Sequence, residues 1–207
     1  FFMALFWSAW SFGQSFTAGG INYEVTSATA PLTVKVTSNA GFSGSANIPT
    51  TVTYNTNPYS VTAIGDSAFE YSTSLTSVTI PNSVTLIGHY AFGNCASLTS
   101  VTIGNSVASI GNFAFYNCTN LTTVNCYALN PFAINANIFR NVNQSACALN
   151  VPIGSATAYE GTVIWTLFSP IIGSLTPVNI APTNISLSAS AINENVAANS
   201  TVGTFSS

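Results

Sequence analysis

Few side chains in this 207-residue sequence can carry out acid–base, metal or nucleophilic chemistry. Only 3% of the residues are charged, whereas an average soluble domain has roughly 25%. Asp66 and Glu70 are the only acids near each other, and their spacing fits the caps of one short helical turn. Glycoside hydrolysis instead needs two acids that face one bond. The full set of acids is Glu24, Asp66, Glu70, Glu160 and Glu194.

The single histidine and the cysteines do not form a recognisable site. His89 occupies a position that Asp66 and Asn112 hold in the neighbouring repeats described below, so a polar turn residue is expected there. Zinc sites use spacings such as Cys-x-x-Cys, which the four cysteines do not show, and no phosphate-binding Gly-rich motif occurs. The sequence therefore predicts neither enzymatic activity nor a cofactor for this part of the protein.

The low charge also limits the partners. The basic residues are Lys35 and Arg140, and the net charge is −3 at pH 7. Nucleic-acid binding requires a basic surface, and a polybasic membrane anchor requires clustered Lys and Arg. We therefore expect no nucleic-acid partner, and a surface built from Ser, Thr and Asn.

A repeat with a period of 23 residues organises residues 60–128. Three successive segments read SVTAIGDSAFEYSTSLTSVTIPN, SVTLIGHYAFGNCASLTSVTIGN and SVASIGNFAFYNCTNLTTVNCYA. A fixed period of this size predicts a solenoid, in which each repeat forms one coil and buries its apolar side chains against the next. Equivalent positions in successive coils, here called columns, include Ile64, Ile87 and Ile110; Gly65, Gly88 and Gly111; Phe69, Phe92 and Phe115; Leu75, Leu98 and Leu121; and Val78, Val101 and Val124.

Each repeat reads as a strand, a short helical turn and a strand. The LTSVTI stretch is rich in β-branched residues and predicts one strand of a parallel sheet per coil. Phe69, Phe92 and Phe115 are expected to stack in the core. Cys95 and Cys118 share a column, so their side chains should point in the same direction. A disulfide requires side chains that point toward each other, so we expect none between these two residues. We interpret both as small buried apolar residues.

The flanking segments suggest further parts of the chain. Residues 1–14 resemble the remnant of a secretory signal peptide, with a buried first strand as the alternative. Residues 15–59 alternate like β-strands, with a hairpin turn at Asn55–Pro58, and are interpreted as an N-terminal β cap. Residues 129–173 are a degenerate repeat and C-terminal cap, in which residues 155–171 are expected to form a short helix. Residues 174–207 are a proline-containing linker and the start of another domain. The sequence does not decide whether Cys126 and Cys147 form a disulfide.

The repeat resembles the BspA-type (Treponema-type) leucine-rich repeat, whose pattern is close to IG-x-x-AF-x-x-C-x-x-L-x-x-V-x-I-P. This resemblance implies a β-rich leucine-rich-repeat solenoid that is secreted or attached to the cell surface. It implies binding of protein or glycan, often in adhesion, without catalysis. The tail APTNISLSASAINENVAANSTVGTFS resembles the truncated start of a cadherin-like repeat, in which Glu194 would be one calcium ligand of a complete domain.

The outward positions of the predicted sheet are the candidate binding surface. With Leu75, Val78 and Ile80 facing inward, the residues between them should form ladders at the spacing of parallel strands, about 4.7–4.9 Å. The expected partner is an extracellular protein or glycan, bound by a monomeric module. The alternatives are that Thr only suits an exposed strand, that the chain is a structural spacer, or that the ladders bind ice. The candidate residues are Thr76, Thr79, Thr99, Thr102, Thr122 and Asn125.

Overall fold

The structure is a computed structural model, and it describes residues 13–177 of the chain. It contains one short helix, α1 (Ala156–Glu160), and two 3₁₀ turns, Gln144–Ala146 and Trp165–Leu167. All other regular elements in these residues are strands. They are β1 (Ser15–Ala18), β2 (Ile21–Ser27), β3 (Thr33–Val36), β4 (Ser43–Asn47), β5 (Thr51–Tyr54), β6 (Asn57–Ile64), β7 (Ser74–Ile80), β8 (Leu86–Ile87), β9 (Ser100–Ile103), β10 (Ser109–Ile110), β11 (Thr123–Cys126), β12 (Ala148–Pro152) and β13 (Ile171–Leu175).

The strands predicted from LTSVTI form a parallel sheet. Its order is β13-β12-β11-β9-β7-β4, and every neighbouring pair is parallel. Val78 pairs in register with Val101, which pairs with Val124. The predicted fold class, a parallel-sheet leucine-rich-repeat solenoid, is confirmed. The sheet is also longer than the three regular repeats, since β4 lies before residue 60 and β12 and β13 lie after residue 128.

A second sheet covers the opposite part of each coil. Its path is β1-β2-β3-β6-β8-β10, with β5 paired to β6. The predicted hairpin is present, because β5 and β6 are antiparallel, but its turn is shorter than the predicted Asn55–Pro58. Asn57 and Pro58 already belong to β6, so the strands are joined by Asn55 and Thr56 alone. Both of these residues have positive φ, 47° and 67°, as a two-residue type I′ turn requires. Buried side chains from both sheets form one core.

A column of phenylalanines runs through this core. Phe69, Phe92, Phe115 and Phe139 stack with ring centroids 5.4, 5.3 and 5.1 Å apart. Phe139 belongs to the degenerate repeat, so the aromatic column extends one coil beyond the regular pattern. The rings of Tyr159, Trp165 and Phe168 are buried at its end, within the segment interpreted from the sequence as a C-terminal cap.

The predicted helix within 155–171 is much shorter than expected. It ends at Glu160, and Gly161 follows as its C-terminal cap. Glycine and the β-branched residues Thr162, Val163 and Ile164 are poor helix formers, and Ile164 has a φ of 80°. The chain then enters β13, which the sequence did not predict.

The cysteine column does more than fill space. The Cys95 thiol donates a hydrogen bond to the Phe69 carbonyl (3.1 Å), and the Cys118 thiol donates to the Phe92 carbonyl (3.1 Å). In the first coil, the buried Ser72 hydroxyl donates to the Asn39 carbonyl (3.0 Å). Thiol and hydroxyl therefore serve the same purpose here: each donates a second hydrogen bond to a carbonyl that already accepts one from a backbone N–H.

All four cysteines have free, buried thiols. Cys126 contacts the Tyr159 hydroxyl at 3.3 Å. Ala148 pairs with Thr123, so Cys147 lies four residues before Cys126 along the strand direction, roughly 13 Å at the rise of a β-strand. A disulfide needs Cα atoms within about 7 Å, and the open question of a Cys126–Cys147 bond is answered against it.

A thiol titration of the untreated protein tests this arrangement. With a chromogenic thiol reagent, we expect the native protein to react slowly, because every thiol is buried, and the denatured protein to react at all 4 cysteines. A sample reduced before denaturation is the control and should give the same final count. A deficit of two thiols in the unreduced sample would show that a disulfide exists.

The turns between the sheets carry a polar column on the surface. The Asp66 carboxylate accepts a hydrogen bond from the His89 backbone N–H (2.7 Å), and His89 Nδ1 accepts from the Asn112 N–H (2.9 Å). Asn135 then donates to the Asn112 side-chain oxygen (2.7 Å). Asp66 therefore caps the turn of the next coil. The prediction that it caps its own turn, made from its spacing to Glu70, is wrong. His89 is the polar turn residue that the sequence predicted.

Candidate functional site

The outward residues of the parallel sheet form the candidate site, and one column crosses almost the whole sheet. We call it the central column; it joins β4, β7, β9, β11 and β12 in register. The predicted residues Thr79, Thr102 and Asn125 lie next to one another in it. Its members are Asn47, Thr79, Thr102, Asn125 and Asn150.

Side-chain hydrogen bonds link part of the central column. Asn125 donates through Nδ2 to the Thr102 hydroxyl (3.2 Å), and Asn150 donates through Nδ2 to Asn125 Oδ1 (2.8 Å). These bonds fix the orientation of both amides. Among residues 13–177, the Thr79 hydroxyl has no side-chain partner, and Thr79 is exposed.

The other predicted residues, Thr76, Thr99 and Thr122, form a separate column at the start of the strands. The Thr99 hydroxyl donates to the Thr76 carbonyl (3.0 Å), and the Thr122 hydroxyl donates to the Thr99 carbonyl (3.3 Å). All three residues are exposed. The two threonine ladders predicted from the sequence are therefore both present as rows of polar side chains.

Between these rows lies a serine column that the sequence prediction missed. Ser45, Ser77, Ser100 and Thr123 pair in register, and Ser77 donates to the Ser45 hydroxyl (2.8 Å). The pairing of β4 with β7 shifts between Gly44 and Ser45, so two consecutive residues, Thr76 and Ser77, lie between the inward Leu75 and Val78. The sequence could have predicted this column. Ser77 lies directly before the inward Val78, and side chains alternate along a strand, which places Ser77 on the outward face.

The face built by these columns carries no charge. The strands β4, β7, β9, β11, β12 and β13 contain no Asp, Glu, Lys or Arg. The single ion pair among the described residues, Lys35 to Glu24 at 3.1 Å, lies in β2 and β3 of the second sheet. Shifted pKa values belong to buried groups: burial raises the pKa of Tyr23 and Cys95 to about 12. The sheet face thus offers hydroxyl and amide hydrogen bonding in a neutral environment.

The described residues show neither a cluster of metal-binding side chains nor a membrane-spanning helix. Within residues 13–177, no group of three or more His, Cys, Asp or Glu side chains is placed to hold a metal ion. No helix in that part of the chain is long and apolar enough to cross a bilayer. The proposed calcium ligand Glu194, the signal-like residues Phe1–Phe12 and the cadherin-like tail lie outside the described residues, and those assignments stay predictions.

Three solved structures are similar to this chain. A leucine-rich repeat protein from Bacteroides ovatus shares 29% identity over 66% of this chain and 37% of its own, with a TM-score of 0.51. A leucine rich repeat protein from T. pallidum shares 19% identity over 68% of this chain and 73% of its own, also at 0.51. One from Bacteroides capillosus shares 30% identity over 64% of this chain and 90% of its own, at 0.48. The chain thus spans well under half of the B. ovatus protein.

Sequence comparison is consistent with the repeat pattern. No curated protein matches the chain. The sequence profile of the BspA type leucine rich repeat region matches residues 42–156 in 6 copies, which is more than half of the chain and includes β4 and β12 on either side of the regular repeats. The chain belongs to the BspA type leucine rich repeat family.

Proposed function

We propose that this chain is a secreted or cell-surface adhesion module that binds an extracellular protein or glycan through the outward face of the parallel sheet. The observation that supports this most is the uncharged polar face: three rows of hydroxyl and amide side chains in register, without an Asp, Glu, Lys or Arg in the strands. Leucine-rich repeats are interaction folds, and solenoids offer extended surfaces of this kind.

The chemistry of the face favours a neutral, elongated partner. Within each row, neighbouring side chains come from adjacent strands about 4.7–4.9 Å apart, so donors and acceptors recur at a nearly constant interval along the solenoid. Among residues 13–177 the Thr79 hydroxyl has no side-chain partner, and the ordered amides of Asn125 and Asn150 keep further donors and acceptors available. Pre-oriented groups lose less entropy when they bind. A glycan chain or an extended protein segment can meet several such groups at once.

The same proposal includes a secreted or cell-surface location and a lack of catalytic activity. The apolar run at Phe1–Phe12 favours secretion, and family membership is consistent with a surface protein. The strands of the parallel sheet contain no Asp, Glu, Lys, Arg or His, so the described face offers no acid or base for catalysis. The alternative is a structural spacer within a longer surface protein, which fits the 37% coverage of the B. ovatus relative.

Binding to a glycan and matrix-protein array tests this proposal. The wild-type protein is expected to bind at least one ligand class, and Thr79→Lys plus Thr102→Lys should weaken that binding at least ~10-fold, because two long cations then cover the central column. The matched control is Thr51→Lys plus Thr53→Lys, which makes the same change at two exposed threonines of β5 in the second sheet. The control should bind like the wild type.

The array also separates the two candidate functions. Equal loss of binding in both double variants would show that added charge, and not the sheet face, is responsible. An array without any ligand at high protein concentration would favour the spacer.

A further inference from the structure

A second candidate site lies where the regular stacking of coils stops. In the repeats, the segment between the two sheets stacks on its equivalent one coil earlier. The Thr85 N–H donates to the Thr62 carbonyl (2.9 Å), and the Ala108 N–H donates to the Thr85 carbonyl (3.0 Å). The Asn105 backbone N–H likewise donates to the Asn82 side-chain oxygen (2.9 Å).

The next coil does not continue this stack. The Tyr127 N–H still donates to the Ile103 carbonyl (3.0 Å), but the following residues read ALNPF where the earlier coils read NSVTL and NSVAS. Pro131 has no N–H to donate. As a result, no backbone N–H of residues 13–177 donates to the Ala108 carbonyl, the acceptor equivalent to those of Thr62 and Thr85.

An open groove occupies the position of the missing segment. Its volume is about 390 Å³, within the range of roughly 300–1,000 Å³ that binding sites occupy. No lining residue is charged. The floor is the last stacked segment, and one wall is the diverging loop, where Leu129 is 44% exposed. The residues that matter here are Asn105, Val107, Ala108, Leu129, Phe132 and Pro177.

The floor of the groove is already complementary to a peptide segment. It holds the residues equivalent to those that each earlier coil presents to the next: Val107 is equivalent to Val84, and Ala108 to Thr85, whose carbonyl accepts from the following coil. Val107 is only 3% exposed, so the apolar contact open to a ligand is Leu129 in the wall. A ligand that presents an N–H to the Ala108 carbonyl and an apolar side chain to Leu129 fills the place of the missing segment. Because the lining is neutral, a charged side chain in the ligand would be desolvated without an ionic partner.

We propose that this groove binds an extended, uncharged peptide segment of a partner protein, which stacks on Asn105–Ala108 in place of the segment that diverges in the next coil. The site is separate from the sheet face and does not depend on the function proposed for it. The bound segment adds one layer to the stack of coil segments, and the protein sets the geometry of that stack. The ligand is therefore recognised through backbone hydrogen bonds and one apolar side chain.

A synthetic peptide that copies the stacking segment is the probe. Acetyl-Asn-Ser-Val-Ala-Ser-Ile-amide, labelled with a fluorophore, is titrated with the full chain and followed by fluorescence anisotropy. We expect saturable binding, and at least ~10-fold weaker binding when Asp replaces Val in the peptide. The Val107 methyl signals in the NMR spectrum should shift on binding, which places the peptide in the groove.

Two variants separate the groove from a general apolar attraction. Leu129→Asp puts a charge in the groove wall and should weaken binding at least ~10-fold, whereas Leu167→Asp, at a leucine of similar exposure outside the groove (49% against 44%), should leave it unchanged. Both residues are partly exposed, and unchanged thermal unfolding checks that the variants fold. Equal affinity for the two peptides, equal loss in both variants, or unshifted Val107 signals would overturn the proposal. So would binding that occurs only in a variant ending at Pro177, because the chain itself would then fill the groove.

Discussion

Gly111→Ala is expected to lower the free energy of unfolding by about 4 kcal/mol or more, which combines overpacking with weakened hydrogen bonds between coils. A Cβ on Gly111 would lie 2.5 Å from the His89 nitrogen and 2.6 Å from the Gly88 carbonyl carbon. Both atoms are backbone, so no side chain can rotate away. The coil would have to move outward, which stretches the bond from the Gly111 N–H to the Ile87 carbonyl (2.7 Å).

The matched control is Gly161→Ala, at the end of the short helix. The nearest atoms to its added Cβ are 3.6 Å away, in ordinary contact, and its φ of −80° suits alanine. We expect this variant to stay within about 1 kcal/mol of the wild type. Urea unfolding followed by circular dichroism measures both. Similar stabilities for the two variants would show that the coils are not packed as closely as described.

The sequence alone predicts the fold through its columns. Phe69, Phe92 and Phe115, and Val78, Val101 and Val124, recur at one period because each coil meets the same neighbour, so spacing carries the architecture directly. The outward positions follow from the same alternation, and it placed Thr79, Thr102 and Asn125 together as the structure does.

The sequence does not predict the contacts that form without a repeated residue type. β4 and β13 extend the sheet with SGSAN and IIGSL, which share hydrogen bonding with LTSVTI but not its side chains. The thiol-to-carbonyl bonds depend on the angle at which one coil follows another. The groove arises from a segment that departs from the pattern, and a broken pattern does not tell where the chain goes instead.

The same buried thiols make the protein sensitive to alkali. Burial raises the pKa of Cys95 and Cys147 to about 12, and it raises the pKa of Cys118 and Cys126 as well. In the unfolded chain a thiol has a pKa near 8.5. Between about pH 8.5 and 12 the unfolded state therefore releases protons that the native state keeps, so the free energy of unfolding falls as pH rises.

The expected loss is about 1.4 kcal/mol per pH unit for each thiol, or roughly 2 kcal/mol per thiol at pH 10. Four such thiols together approach the total stability of a typical domain, about 5–15 kcal/mol, so we predict cooperative unfolding near pH 10–11. Urea unfolding at pH 7, 9 and 10 measures the slope. A free energy of unfolding that stays constant from pH 7 to pH 10 would contradict the burial of these thiols.

Cys95→Ser plus Cys118→Ser is the variant that assigns this slope to the thiols. Serine already occupies the same column at Ser72, where its hydroxyl donates to a buried carbonyl as the thiols do. The substituted hydroxyls keep those hydrogen bonds and do not ionise in this range, so the pH dependence above pH 8.5 should fall to about half, since two of the four thiols remain. An unchanged slope would place the alkaline sensitivity elsewhere, in buried phenols such as Tyr23, whose pKa burial raises to about 12.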